Sequence, residues 1–325
     1  MKNVVVIGGG TGLSAMMSGL KHLENVNLTA VITVADDGGS TGRIRDTYNL
    51  PAMGDIRHVM CAMAADDNES IFQDLMNYRF PGSKDIGGHQ LGNLIFVALT
   101  DLTGSFMGAV EAISKVLQVK GEIVPSTLDN AILYAMTQDG TLVRGENNIP
   151  NSNNSVSRVF YQNQIHPYPK AIAAIEEADL IIYGIGSLYT SILPNVIINE
   201  IQRAIADSTV PKVYFCNAMT QPGETDGYSV EDHVRAIEKH TYKNPVDMVV
   251  INNAPVDPSV LERYARQGSL PVKVKENDHV YKILERDLIT VDETGRLRHD
   301  PEAISKVVEE LLETLEKEET NVVFK

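Results

Sequence analysis

The chain has 325 residues with 28 basic and 43 acidic side chains, a formal net charge of −15; that field repels nucleic acid and anionic lipid, so any anionic ligand must be captured locally by amides, cations or metal. Hydrophobic residues make up 43%, enough for a sizeable core, yet no apolar run reaches bilayer length and the first residues enter a strand without a signal-peptide pattern, so the expectation is a cytoplasmic protein that is not integral to a membrane. Cys61 and Cys216 stand far apart in apolar surroundings and read as buried reduced thiols, not as a disulfide framework or metal cluster.

The first element is the run Val4-Val5-Val6-Ile7, which opens into Gly8-Gly9-Gly10-Thr11-Gly12. Buried-type residues followed by glycines predict a parallel strand turning into a helix near Leu13, with bare backbone N–H groups and the positive helix end forming a phosphate seat. A second strand over residues 28–34 delivers Asp36, Asp37, Gly38, Gly39, Ser40, Thr41 and Gly42 to the same sheet edge. Residues 52–118 then lose strand signals, and helical spacing over residues 86–102 and Phe106–Leu117 predicts a helical excursion beside the pocket. Residues 121–161 return to β character, with Asp139-Gly140 as a hairpin turn, and residues 147–155 read as an exposed polar loop. Strands are predicted at Leu180–Tyr183, 213–216 and 248–251, each ending in a Gly- or Asn-containing loop. From Pro301 onward, Ile304, Val307, Val308, Leu311, Leu312 and Leu315 recur at helical spacing and predict a closing amphipathic helix. The alternation defines the expected fold class: α/β, Rossmann-like, a mostly parallel sheet with helices on both faces and a helical excursion.

In such sheets ligands bind beyond the carboxyl ends of the strands, so the loops nominate the site. Gly8, Gly9, Gly10, Thr11 and Gly12 would wrap a diphosphate. Asp36 and Asp37 would bind ribose hydroxyls or, with Asp55, hold Mg²⁺ through oxygen, the metal pair being Asp37 and Asp55; helix capping competes for Asp55. Ser40 and Thr41 supply hydroxyls. Arg43, Arg45 and Arg57 are the nearest cations and would clamp phosphate, with surface ion pairing as the alternative. His89 would hydrogen-bond a sugar or phosphate, and Asn93 would read a base edge, unless it packs in the apolar helix it begins. Gly184, Gly186, Ser187 and Thr190 form a second glycine-hydroxyl loop for the far side of the nucleotide. Asn217 and Asn252 end strands with amides suited to uracil or sugar, or to simple turns. Tyr264 would stack on a base or sugar and Arg298 would contact phosphate. Gly10-Thr11-Gly12-Leu13-Ser14-Ala15 also satisfies a dinucleotide fingerprint, which keeps an NAD-binding oxidoreductase open; no Walker A pattern occurs.

Five segments carry a family resemblance: Ile7 to Ser14, Val34-Ala35-Asp36-Asp37-Gly38-Gly39-Ser40-Thr41-Gly42-Arg43, Pro51-Ala52-Met53-Gly54-Asp55-Ile56-Arg57, Gly88-His89-Gln90-Leu91-Gly92-Asn93 and Gly184-Ile185-Gly186-Ser187-Leu188-Tyr189-Thr190-Ser191. With Asn217-Ala218-Met219-Thr220-Gln221-Pro222-Gly223 they resemble the YvcK branch of the YvcK/CofD-like proteins over almost the whole chain. The resemblance implies one CofD-like α/β domain over residues 1–325. It implies a regulator that binds a nucleotide-sugar such as UDP-N-acetylglucosamine and serves gluconeogenic growth, cell shape and wall synthesis, through a protein partner in wall synthesis. The CofD branch implies the alternative, an Mg²⁺-dependent transferase moving a phospho-acid group from a nucleotide diphosphate donor. A homodimer is the expectation for a soluble oligomer.

Overall fold

The computed structural model describes residues 1–65, 71–152, 154–242, 245–276 and 278–323. In chain order, β1 (Lys2–Gly8) leads into α1 (Gly10–Leu20) and β2 (Val26–Ile32), then into a run of helices: α2 (Gly39–Tyr48), α3 (Gly54–Ala62), α4 (Ile71–Asn77), α5 (Leu91–Thr103) and α6 (Phe106–Leu117). After β3 (Glu122–Pro125) come β4 (Leu133–Thr137), β5 (Leu142–Arg144) and β6 (Val156–Tyr161). The second half alternates: α7 (Pro169–Glu176), β7 (Leu180–Tyr183), α8 (Leu193–Val196), α9 (Asn199–Asp207), β8 (Lys212–Phe215), α10 (Val230–His240), β9 (Met248–Asn252), α11 (Pro258–Arg266), β10 (Lys282–Arg286), β11 (Ile289–Val291), β12 (Leu297–His299) and α12 (Pro301–Val323).

Seven strands form one sheet in the order β10-β9-β8-β7-β1-β2-β3, and every pairing in it is parallel. The chain winds outward from β1 through β2 to β3, then returns to β7 on β1's other side and winds the opposite way, so β1 and β7 flank the point where strand order reverses. Side chains of β1 alternate between two cores: Val4 and Val6 pack with α1, α3, α6 and α12, while Val5 and Ile7 pack with α7, α9 and α10. Both faces are therefore covered, which is why the central strands read as continuous apolar runs.

The expected hairpin stands: β4 pairs antiparallel with β5 and with β6 as a separate three-stranded sheet. Several boundaries move. The first helix begins at Gly10, three residues before Leu13. β2 stops at Ile32, because its ladder with β1 ends at the Gly8–Ile32 pair, and the Thr33 N–H closes onto the Gly8 carbonyl at 3.0 Å. The helical run starts at Gly39, before residue 52, and residues 66–70 within it lie outside those described. Helix α5 starts at Leu91, not at 86, because residues 78–90 fold back on themselves: the Phe80 N–H donates to His89 O and the Gly88 N–H to Phe80 O, both at 2.9 Å. Within 147–155, Ile149 is fully buried, so that stretch is not simply an exposed loop; Asn153 lies outside the described residues. Cys216 is buried and Cys61 partly so, both as free thiols.

Candidate functional site

A groove of about 320 Å³ lies at the reversal point, walled by the loops that leave β1, β7 and β8. Two glycine loops meet on its floor. Gly10 adopts φ of +69°, a left-handed backbone that glycine takes without cost. A Cβ on Gly12 would stand 2.6 Å from the Ile185 carbonyl oxygen, so only glycine lets α1 start against the β7 loop. That loop is fastened in turn: Asn217 Nδ2 donates to Gly186 O at 2.8 Å, and Gln221 Nε2 to Ser187 Oγ at 2.8 Å. The opposite wall comes from late in the chain, with Tyr264 on α11, Ile289 on β11 and Leu297, Arg298 and His299 on or beside β12. The Leu297 N–H donates to the Tyr264 hydroxyl at 2.9 Å, tying helix to hairpin, and Arg298 Nε donates to Asp292 at 2.9 Å.

Behind Gly9 sits an acidic crevice. A Cβ on Gly9 would stand 2.6 Å from Asp55 Oδ2, and the Asp55 carboxylate accepts the Gly10 N–H. Burial and then the nearby charge of Asp36 push Asp55 up to about 7. Burial raises Asp36 as well, although it accepts the Gly38 N–H at 2.9 Å. Glu146 is pushed up to about 8 by burial and then by Asp36, Asp55, Glu224 and Asp37, and burial pushes Glu224 up to about 7. A carboxyl held near neutrality donates a hydrogen bond when protonated and attracts a cation when ionised. Gly54 backs onto Asp36 Oδ2 and Thr41 Oγ1, and the charge of Asp36 reaches Asp55. Asp37 adjoins Asp36 and its charge raises that carboxyl further, while its Oδ1 accepts the Asn147 N–H at 3.0 Å. Among the described residues no three His, Cys, Asp or Glu side chains gather closely enough to cage a metal ion. Mg²⁺ bound chiefly through phosphates and water needs one or two carboxylates, and Asp36 and Asp55 fit that smaller demand.

Of the residues nominated from sequence, Gly9, Gly10, Thr11, Gly12, Gly186, Ser187, Asn217, Tyr264 and Arg298 line the groove. The others do not. Gly8 and Gly184 are strand-end framework packed on Leu13. Arg57 is fully buried and spends its guanidinium inward, on Asn93 Oδ1, Met76 O, Asn77 Oδ1 and Gln90 Oε1. Asn93, also fully buried, passes that chain on to Ser40 Oγ at 3.1 Å, so it is placed to hold α5 against α2 and not to read a base. Thr41 is buried beside it, 3.5 Å from Asn93 Nδ2. His89 meets Ser40 Oγ at 3.1 Å, and Arg43 donates to Gly87 O at 3.0 Å. Arg45 is buried and pins the acidic turn through Ala35 O and Asp36 O. Thr190 donates to buried Glu224 at 3.2 Å, and Asn252 Oδ1 accepts the Leu288 N–H at 2.9 Å as a turn former. Sequence reasoning missed Ser191, Met219, Gln221, Ile289 and His299 in the groove and Glu146 in the crevice. Gln221 carried a signal, since it lies in a strand-end loop already nominated; Glu146 carried none.

Residues 4–291 match the family described as 2-phospho-L-lactate transferase CofD. The chain is 41% identical over 312 residues to the gluconeogenesis factor of Bacillus subtilis (strain 168), covering 95% of this chain and 98% of that one. It is 40% identical over 326 residues to the gluconeogenesis factor of Listeria monocytogenes, covering 97% and 98%. A crystal structure of a Bacillus halodurans protein superposes with a TM-score of 0.90 at 40% identity, covering 94% of this chain and 99% of that one.

Proposed function

Because the chain belongs to the CofD family, in the branch of the gluconeogenesis factors, we propose that it is a nucleotide-sugar-binding regulator of gluconeogenic growth and of cell-wall morphogenesis. The ligand of choice is UDP-N-acetylglucosamine or a close analogue, with the diphosphate on the Gly9–Gly12 amides and Tyr264 and Arg298 closing over it. One observation carries this reading: the groove at the strand-order reversal joins a glycine loop, a glycine-serine loop and an aromatic-plus-arginine wall. Amides and a guanidinium suit a diphosphate, and the half-apolar lining from Ala15, Ile185 and Met219 suits a sugar face. The relatives' names support the gluconeogenic part; the wall role and a protein partner through which it acts are part of the proposal.

A second reading is favoured by the crevice behind Gly9. Carboxyls raised to about 7 or 8 beside a phosphate seat suit a transferase that holds Mg²⁺ on a nucleotide diphosphate through Asp36 and Asp55. Titration calorimetry with UDP-N-acetylglucosamine, NAD and guanosine diphosphate, each with and without Mg²⁺, separates the readings. UDP-sugar binding without consumption is expected; Mg²⁺-dependent guanosine diphosphate binding with no UDP-sugar response would favour the transferase, and tight NAD binding with no UDP-sugar response would contradict both.

A further inference from the structure

A second pocket, of about 470 Å³, lies where β6, one outer strand of the small sheet, meets the turn after α8, α9 and the end of α10. It shares no lining residue with the nucleotide groove. None of its lining residues is Asp or Glu, in a chain that carries 43 of them. Its charged residues are Arg158 and Lys239. The Arg158 guanidinium lies 5.3 Å from the centroid of the Phe160 ring, a cation–π contact. Lys239 Nζ is anchored at the Ser157 carbonyl at 2.8 Å.

His240 joins these cations without adding a charge. Its Nδ1–H donates to Ala236 O at 2.6 Å, which leaves Nε2 to accept the Val159 N–H at 2.9 Å. Lys239 is bonded to Ser157 and His240 to Val159, the residues on either side of Arg158, so both cations lie along one stretch of β6. Two like charges lining one pocket, with no acidic residue among its described lining, are relieved by an anion. Around them, Asn163, Gln164 and Asn199 offer carboxamides that both donate and accept, while Ile165 and Ile198 supply an apolar floor.

We propose that this pocket is a second ligand site, for a small phosphorylated polyol such as a sugar monophosphate. The phosphate lies between Arg158 and Lys239, the hydroxyls meet the carboxamides, and one carbon face rests on the isoleucines.

The test is titration calorimetry of the full chain at constant ionic strength with glucose 6-phosphate and with glucose. The phosphate ester is expected to bind and glucose is not. Arg158→Glu and Lys239→Gln each weaken the ester at least tenfold and leave the melting temperature and UDP-N-acetylglucosamine binding unchanged. Three results would overturn the proposal: no ester binding to the wild type, ester binding undiminished in both variants, or ester binding abolished by saturating UDP-N-acetylglucosamine, which would move it to the groove. Because the two pockets are titrated separately, failure here is distinct from failure of the nucleotide-sugar reading.

Discussion

Gly10 and Arg57 do opposite kinds of work at the site. Gly10 serves by having no side chain: its positive φ lets the loop turn into α1, its N–H is held by the Asp55 carboxylate, and the nearest atom to an added Cβ is Ser191 Oγ at 3.5 Å. A β-branched residue there meets backbone strain of about 1–2 kcal/mol and reaches into the groove. Gly10→Val is therefore expected to abolish UDP-N-acetylglucosamine binding in calorimetry while the circular dichroism spectrum keeps its α/β form. Arg57 serves by its many donors, and its role is structural. Truncation to alanine leaves Asn93 Oδ1, Met76 O and Gln90 Oε1 without their donor, and each buried polar group left unpaired costs about 1–3 kcal/mol. Arg57→Ala is expected to lower unfolding free energy in urea by about 3 kcal/mol or more. A variant of wild-type stability that had lost only ligand binding would restore Arg57 to the groove.

At the scale of elements, the loop after β2, the first turn of α3 and the turn before β6 bring carboxyls together that are distant in sequence, and this sets a pH dependence. Asp55 and Glu146 titrate at about 7 and 8 in the fold, against about 4 in an unfolded chain. The folded state thus keeps protons that the unfolded state has released. Their contribution favours folding fully below about pH 4 and is lost as pH rises through 7 to 8. Buried histidines held low, such as His58 and His299 at about 4, act in the opposite sense, but only below about pH 6.5. Between pH 6.5 and 8 the melting temperature is expected to fall, and Glu146→Gln should flatten that slope. An unchanged slope in the variant would remove Glu146 from the cluster. The same scale explains what was legible. Strand-to-loop transitions at β1, β7 and β8 announce themselves, because buried apolar runs stop at glycine or asparagine. Beyond Arg298, the convergence of residues 289–299 on those loops does not, because it depends on α11 and the β11–β12 hairpin folding back across the sheet edge. Arg57, Asn93 and Ser40 bond one another between helices, and Thr41 bonds Asp36; polar residues gathered near a site read alike in sequence whether they touch a ligand or hold two helices together.

For the whole molecule, a seven-stranded parallel sheet with both faces covered leaves the carboxyl ends of its strands as the natural place for a ligand, and the order reversal between β1 and β7 opens the crevice there. That much followed from glycine placement and strand alternation. The net charge of −15 makes the groove's neutral amides and single arginine the means of holding an anion, with acids close behind. The most direct measurement is the crystal structure of the full chain grown with UDP-N-acetylglucosamine. The diphosphate is expected against the Gly9–Gly12 amides, with the remainder of the ligand under Tyr264 and Arg298. A nucleotide bound elsewhere, with the glycine loop untouched, would contradict this placement.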